Sequence, residues 1–296
     1  MTFQCLPRGP FDLATENEYF GGWPPLPADD RAVAMAFPVE GWERSAAVIL
    51  RQFSDGEVSG EVHGAAGHAE RAWNQALAIL SLDVDGTGFA EVGRRDPIIG
   101  RAQQAFRAVR PVLFHSPYEA AAGLILGHRI SIRQARATRE IMAQLLGDEV
   151  TVGAHTMHAF PKPQILEEMT SFPSVSQEKV QRLNGIGHAA RQGMLDRGRL
   201  RAMPVEQALA ELRTLEGVGP FTAQGVLFRG AGLVDDITDD ETTAEAVQLA
   251  YGLHTRPTHD EVLGMAENWR PFRTWCLVLL HIWLRRQTRQ QGPALA

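Results

Sequence analysis

The pattern of apolar and polar positions changes character near residue 105. Before it, apolar and small residues run through 31–37 and 45–52, and Val58 and Val62 alternate with polar neighbours across 57–63. Short runs of this kind predict strands. Pro38 and Gly41 separate the first two, and Ser54-Asp55-Gly56 predicts a hairpin before the third. The spacing of Ala69, Trp73, Ala76, Leu77 and Leu80 predicts a helix over 66–82. Together they predict an α+β N-terminal domain over 1–105, a small antiparallel sheet with helices.

From about Phe106 helical spacing takes over. Ser116-Pro117-Tyr118-Glu119 is a capping-box pattern with proline at the first helical position. It predicts a helix through Gly127, with Ala121, Leu124 and Ile125 inward. Ser131 predicts the start of the next helix, running to Leu146. Its apolar residues are Ile132, Ala135, Ile141 and Leu145, with Arg133, Arg136 and Arg139 outward. Further helices are predicted over 176–183, 188–197, 204–214, 241–250, 258–269 and 271–287. His155 and His158 read as loop, and no β-sheet is expected after residue 110. Residues 106–296 thus read as an all-α domain.

Composition narrows the functional classes. At 296 residues, 44% hydrophobic and 22% charged, the chain is an ordinary globular protein with length for two domains. Two cysteines, Cys5 and Cys276, exclude a disulfide framework, a four-thiolate zinc site and a four-cysteine cluster. No apolar run is long enough to span a membrane, and the first residues lack a basic-then-apolar leader, so a cytoplasmic location is expected. Asp83-Val84-Asp85-Gly86 lacks the later acid of a calcium loop and reads as a turn. The histidines show no zinc spacing, so neither metal nor cofactor is expected.

The net charge of −6 argues against a nucleic-acid partner when taken alone. The distribution qualifies this. Residues 1–105 hold eight arginines against fifteen acids; residues 106–296 hold 21 basic residues against 20 acids. Lys162 and Lys179 are the only lysines. Arginine can fork onto phosphate, although the base composition of a gene produces the same excess.

The most informative segment is Leu212–Phe228. Two apolar stretches at helical spacing flank Gly217-Val218-Gly219, and Pro220 stands where a second helix begins. The glycines permit positive φ and close backbone approach, and the free amides of a helix start form an anion site. Such a hairpin, over about 204–230, can hold a phosphate without side-chain charge; a plain helical hairpin has the same pattern. Asn184-Gly185-Ile186-Gly187 is a weaker instance. Asp235, Asp236, Asp239, Asp240 and Glu241 then fall within ten residues. This cluster reads equally as a solvated loop or as negative charge at the start of helix 241–250.

In sequence order, GVGPFTA at 217–223, TDDETTAEAVQLAYGL at 238–253 and the Trp269-Arg270-Pro271-Phe272-Arg273…Leu280-His281-Ile282-Trp283 segment resemble the helix–hairpin–helix/GPD superfamily of DNA glycosylases. The resemblance is strongest to the DNA-3-methyladenine glycosylase II branch. Ser116–Glu119, Gly127–Ser131 and the N-terminal strands also fit, so nearly the whole chain is covered.

The resemblance implies a monofunctional glycosylase hydrolysing the N-glycosidic bond of alkylated purines, of the 3-methyladenine and 7-methylguanine type, in base excision repair. Glycosylases for deaminated or oxidised bases, and a non-catalytic DNA-binding relative, are the alternatives. It implies Asp240 as the catalytic carboxylate, with Asp239 facing away. Phe221 and Trp283 match pocket aromatics, and Tyr118 or Trp275 is expected to fill the third place. There the family's aromatic is replaced by Gly225, which opens space. DNA contacts are implied at Gly217, Val218, Gly219, Thr222, His128 and Arg129, with Arg129 matching the wedge that fills the vacated stack. Phe221 stands where bifunctional relatives carry a lysine, so no lyase activity is implied. The expected partner is double-stranded DNA containing damaged bases, met by a monomer.

Overall fold

The computed structural model describes residues 1–20 and 31–290. The first part contains β1 (Thr2–Cys5), α1 (Leu13–Phe20), β2 (Ala32–Pro38), β3 (Ser45–Gln52), β4 (Val58–His63), α2 (Ala69–Ile79), α3 (Phe89–Arg95) and α4 (Pro97–Ala105). Then follow α5 (Pro117–Gly127), α6 (Ile132–Leu146), β5 (Glu149–Val152), β6 (His155–His158), α7 (Pro163–Glu168), α8 (Gln177–Arg191), α9 (Arg197–Ala202) and α10 (Val205–Leu212). Last come α11 (Pro220–Gln224), a π-helical continuation over Gly225–Ala231, α12 (Glu241–Tyr251), α13 (His259–Ala266) and α14 (Arg273–Gln290). Among the described residues no helix is long and apolar enough to cross a membrane.

β1–β4 form one antiparallel sheet in the order β1-β4-β3-β2. Side chains alternate across it, and both faces are covered. Val33, Met35, Phe37, Val48, Leu50 and Val62 pack with Trp73, Ala76 and Ile79 of α2. On the opposite face Ala34, Ala36, Ala47 and Ile49 meet Val150, Val152 and Ala159.

That second cover corrects the expectation of no sheet after residue 110. Residues 149–152 and 155–158 pair as an antiparallel hairpin about Gly153, whose φ is +57°. Each strand has four residues, and Val150 and Val152 alternate with exposed Glu149 and Thr151. So short a hairpin has little stability alone. It persists because the sheet supplies an apolar surface, which local spacing does not reveal.

Two helical expectations also change. Asn184-Gly185-Ile186-Gly187 is no second hairpin but lies inside the single helix α8. A Cβ on Gly187 would stand 2.5 Å from the Pro163 carbonyl oxygen and 2.8 Å from the Glu167 nitrogen, so this glycine lets α7 lie against α8. In α6 the Ser131–Gln134 capping box forms, yet only Met142 is buried. Ile132, Ile141 and Leu145 are exposed, and Arg139 turns inward to the buried Glu119 carboxylate and over the Phe160 ring.

Helices α5, α8, α10 and α11 enclose one apolar core through residues such as Ile125, Leu183, Leu212 and Ala223. A second core gathers α4, α12, α13 and α14 around Trp269, Trp275 and Leu280. The hairpin ends in the first core, and the acidic segment borders the second.

Candidate functional site

The hairpin connects α10 to α11. Gly217 takes φ +79°, and a Cβ there would meet Arg182 Cδ at 2.5 Å. Val218 buries its side chain and donates its N–H to the Leu215 carbonyl at 3.0 Å. Its backbone donor is therefore engaged within the hairpin. Gly219 is exposed and extended at φ −81°, ψ −177°, and nothing lies within 4 Å of where its Cβ would be. Pro220 occupies the first helical position, and no side chain caps this helix start. The amides of Phe221 and Thr222 therefore have no acceptor within the helix.

The 127–131 turn lies beside it. His128 Nε2 is 3.2 Å from the buried Thr222 hydroxyl. Burial pushes the His128 imidazole down, and the Arg182, Lys179 and Arg129 cations push the same way, so it acts as a neutral hydrogen-bonding group. Lys179 Nζ donates to the Leu126 carbonyl at 2.7 Å and the His128 carbonyl at 2.8 Å. The exposed Arg129 directly follows these anchors at φ +56°, a left-handed conformation costly for a residue with a Cβ.

Asp240 is the N-cap of α12. One carboxylate oxygen accepts from the Thr243 N–H at 2.8 Å and the other from the Thr243 hydroxyl at 3.1 Å. The buried Thr243 hydroxyl also lies 2.7 Å from the Thr238 hydroxyl and 3.4 Å from His281 Nε2. Burial pushes the His281 imidazole down to about 4, with Arg229 and Arg285 adding to this and Asp240 opposing it. Sequence reasoning assigned no role to Thr243 or His281. The available signal was one histidine inside the apolar run Leu277–Ile282.

The other acids have partners of their own. Asp239 is exposed, 3.7 Å from His259. Asp235 holds Arg270 and Arg273, and Asp236 meets Thr274. Asp239 and Asp240 share the wall of a cavity of about 320 Å³ with Thr238, Arg256 and His259. Among the described residues no three His, Cys, Asp or Glu side chains come together as a metal site.

The expected aromatic pocket is only partly present. Phe221 is 65% exposed in the first turn of α11. Tyr118 is fully buried beside Trp42 and Phe160, and its hydroxyl donates to the Pro161 carbonyl, which corrects its expected place in a pocket. Trp275 is likewise core, packed on Phe89 and Phe272. Trp283 lines a different cavity of about 220 Å³, with Arg101, Ala105 and Ala250 rather than Asp240. Nor does Gly225 open space: Leu124 Cδ1 stands 2.6 Å from where its Cβ would be.

Comparison with known proteins agrees with the resemblance read from the motifs. No protein-family profile matches the chain. It is 24% identical to a DNA-3-methyladenine glycosylase of Bacillus subtilis over 206 residues, 68% of each chain. It is 28% identical to DNA-3-methyladenine glycosylase 2 of Escherichia coli over 172 residues, 56% of each chain. The second alignment thus spans little more than half the relative's length. In fold it is similar to the 3-methyladenine DNA-glycosylase from Archaeoglobus fulgidus, with a TM-score of 0.76 at 19% identity, covering 98% of this chain and 99% of that one. The resemblance to helix–hairpin–helix DNA glycosylases is therefore borne out by homologue names and by fold.

Proposed function

We propose that this chain, which resembles the helix–hairpin–helix DNA glycosylases, is a monofunctional glycosylase that releases alkylated purines from duplex DNA by hydrolysis, as a cytoplasmic monomer. The observation that carries the reading is Asp240, a carboxylate fixed by two hydrogen bonds at a helix start and following the hairpin in the chain.

The chemistry proceeds from that carboxylate. The C1′–N bond breaks with its electron pair passing to the base nitrogen, so a cationic alkylpurine leaves neutral. The sugar is left as an oxocarbenium ion. A fixed carboxylate beside the growing positive charge stabilises it, because its orientation is set before the reaction. Water then adds to C1′ and loses a proton, leaving an abasic strand.

The remaining roles are those that the family resemblance implies. The amides of Gly219, Phe221 and Thr222 receive a phosphate. The exposed Phe221 ring offers its face to the extruded base, and a cationic ring gains about 0.5–2 kcal/mol there. Arg129, held out by the 127–131 turn, fills the vacated stack. Position 221 carries no amine, and Lys179 is committed to two carbonyls, so no Schiff base forms with the sugar.

Asp240→Asn tests the reading. Asparagine caps helices as well as aspartate and can still accept the Thr243 N–H, so folding and DNA binding should persist. Base release from methylated duplex, with the products identified by chromatography, should fall at least 100-fold, while Asp239→Asn stays active. Full activity in Asp240→Asn would remove the carboxylate from the mechanism.

A further inference from the structure

We propose that Thr243 and His281 are positioning residues that act on the reaction through Asp240, with the Thr243 hydroxyl as the junction of a hydrogen-bond chain running from α14 to the carboxylate. The inference rests on Asp240 being the reacting carboxylate and adds residues that neither the motifs nor the comparisons assign.

The argument is one of donor and acceptor capacity. The Thr243 hydroxyl has one proton and two lone pairs. Three groups surround it: Asp240 Oδ2 at 3.1 Å, Thr238 Oγ1 at 2.7 Å and His281 Nε2 at 3.4 Å. A carboxylate is the strongest acceptor of the three, so the proton goes to Asp240. The lone pairs then accept from the Thr238 hydroxyl and from Nε2–H of His281. This fixes the His281 tautomer and satisfies the buried Thr243 hydroxyl completely.

Two consequences follow. The Asp240 carboxyl cannot rotate without losing the hydroxyl bond and misaligning the backbone bond, so its orientation is set before DNA arrives. His281 takes part as a neutral ring, consistent with its burial and with Arg229 and Arg285 as cationic neighbours. A neutral donor leaves the carboxylate's charge free for the sugar.

Thr243→Val removes the hydroxyl and keeps both size and the backbone N–H that the Asp240 cap accepts. Its single-turnover base release should fall about 10- to 100-fold, the cost of a misplaced reacting group. The dissociation constant for undamaged duplex should stay within about twofold, since DNA is held elsewhere. Thr243→Ser, which restores the hydroxyl, should recover most of the rate. His281→Leu should slow release several-fold in the wild type and add nothing in the Thr243→Val background, because it acts through that hydroxyl. His281→Gln, whose amide can donate from a similar place, should be nearly unaffected.

Melting temperatures recorded for every variant separate a loss of chemistry from a loss of fold. Wild-type rates in Thr243→Val beside an inactive Asp240→Asn would overturn the positioning role and leave the carboxylate reading intact. Additive losses in Thr243→Val/His281→Leu would overturn the chain of hydrogen bonds. Activity in Asp240→Asn would overturn the catalytic reading itself.

Discussion

Replacing Gly219 by alanine isolates the hairpin's contact with DNA from its contribution to folding. The expected strain of a positive φ belongs to Gly217, at +79°, and not to Gly219, at −81°. Any L-residue adopts the backbone of Gly219, and its Cβ would meet no atom within 4 Å. Gly219→Ala should therefore leave stability unchanged or raise it by up to about 1 kcal/mol, through the lost freedom of the unfolded chain. On the proposed reading, a phosphate held by the amides of Gly219, Phe221 and Thr222 brings the DNA backbone against the open space that the new methyl fills. Losing one charge-assisted hydrogen bond costs about 1.5–3 kcal/mol, roughly a 10- to 150-fold rise in dissociation constant. The loss should be equal on undamaged and damaged duplex, since a phosphate contact carries no base information. Gly217→Ala is the contrast. It forces a Cβ into the left-handed region and displaces Arg182, so it should lower stability by about 1–2 kcal/mol. Fluorescence anisotropy with labelled duplex, beside thermal melts, reads both effects. Wild-type affinity in Gly219→Ala would refute the amide grip and assign the phosphate to arginine side chains; a steep salt dependence would then accompany it.

Three further outcomes are expected. Borohydride added during turnover should trap no protein–DNA adduct, because position 221 is phenylalanine; an efficient adduct would establish lyase chemistry. Lys179→Met should lower stability by about 1–2 kcal/mol and slow base release from duplex, since it frees the Leu126 and His128 carbonyls that precede Arg129; unchanged melting and rate would show that the turn holds itself. His281 binds fewer protons folded than unfolded between about pH 4 and 6.5, so its contribution is complete above pH 6.5 and is lost as pH falls toward 4. The stability gap between wild type and His281→Gln should shift by about 3 kcal/mol across that window, and parallel curves would refute the buried neutral ring.

The sequence made some of this architecture legible and left other parts hidden, for identifiable reasons. Ser116 and Ser131 announced their helices because capping is a local transaction between a side chain and the next three amides. Gly217 and Pro220 announced the hairpin for the same reason. The β5–β6 hairpin was hidden because its partner surface lies about a hundred residues away in the chain. Asn184-Gly185-Ile186-Gly187 misled because a glycine that admits another helix looks like one that admits a turn. Tyr118 misled because an aromatic in a helix's first turn serves a core and a pocket equally well, and only the Pro161 carbonyl decides between them. Asp240 was singled out by the family resemblance of its segment, whereas Thr243 and His281 are joined to it only by the packing of α12 on α14.

The β5–β6 cover also bears on whether the helical half is portable. Val150, Val152 and Ala159 have their apolar surface satisfied by strands β2 and β3. Ser45 donates to Asp148, the Trp42 indole N–H donates to the Ala190 carbonyl, and Arg197 joins Glu40 to the carbonyls of His115 and Gly230. A chain cut at residue 105 would expose a two-stranded apolar surface and leave the buried Arg197 without its carboxylate. The boundary near residue 105 is therefore one of chain order and not of cooperativity. Calorimetry should record a single transition for the whole chain, and the segment 106–296 expressed alone should aggregate; engineering that transplants this scaffold must carry the sheet with it.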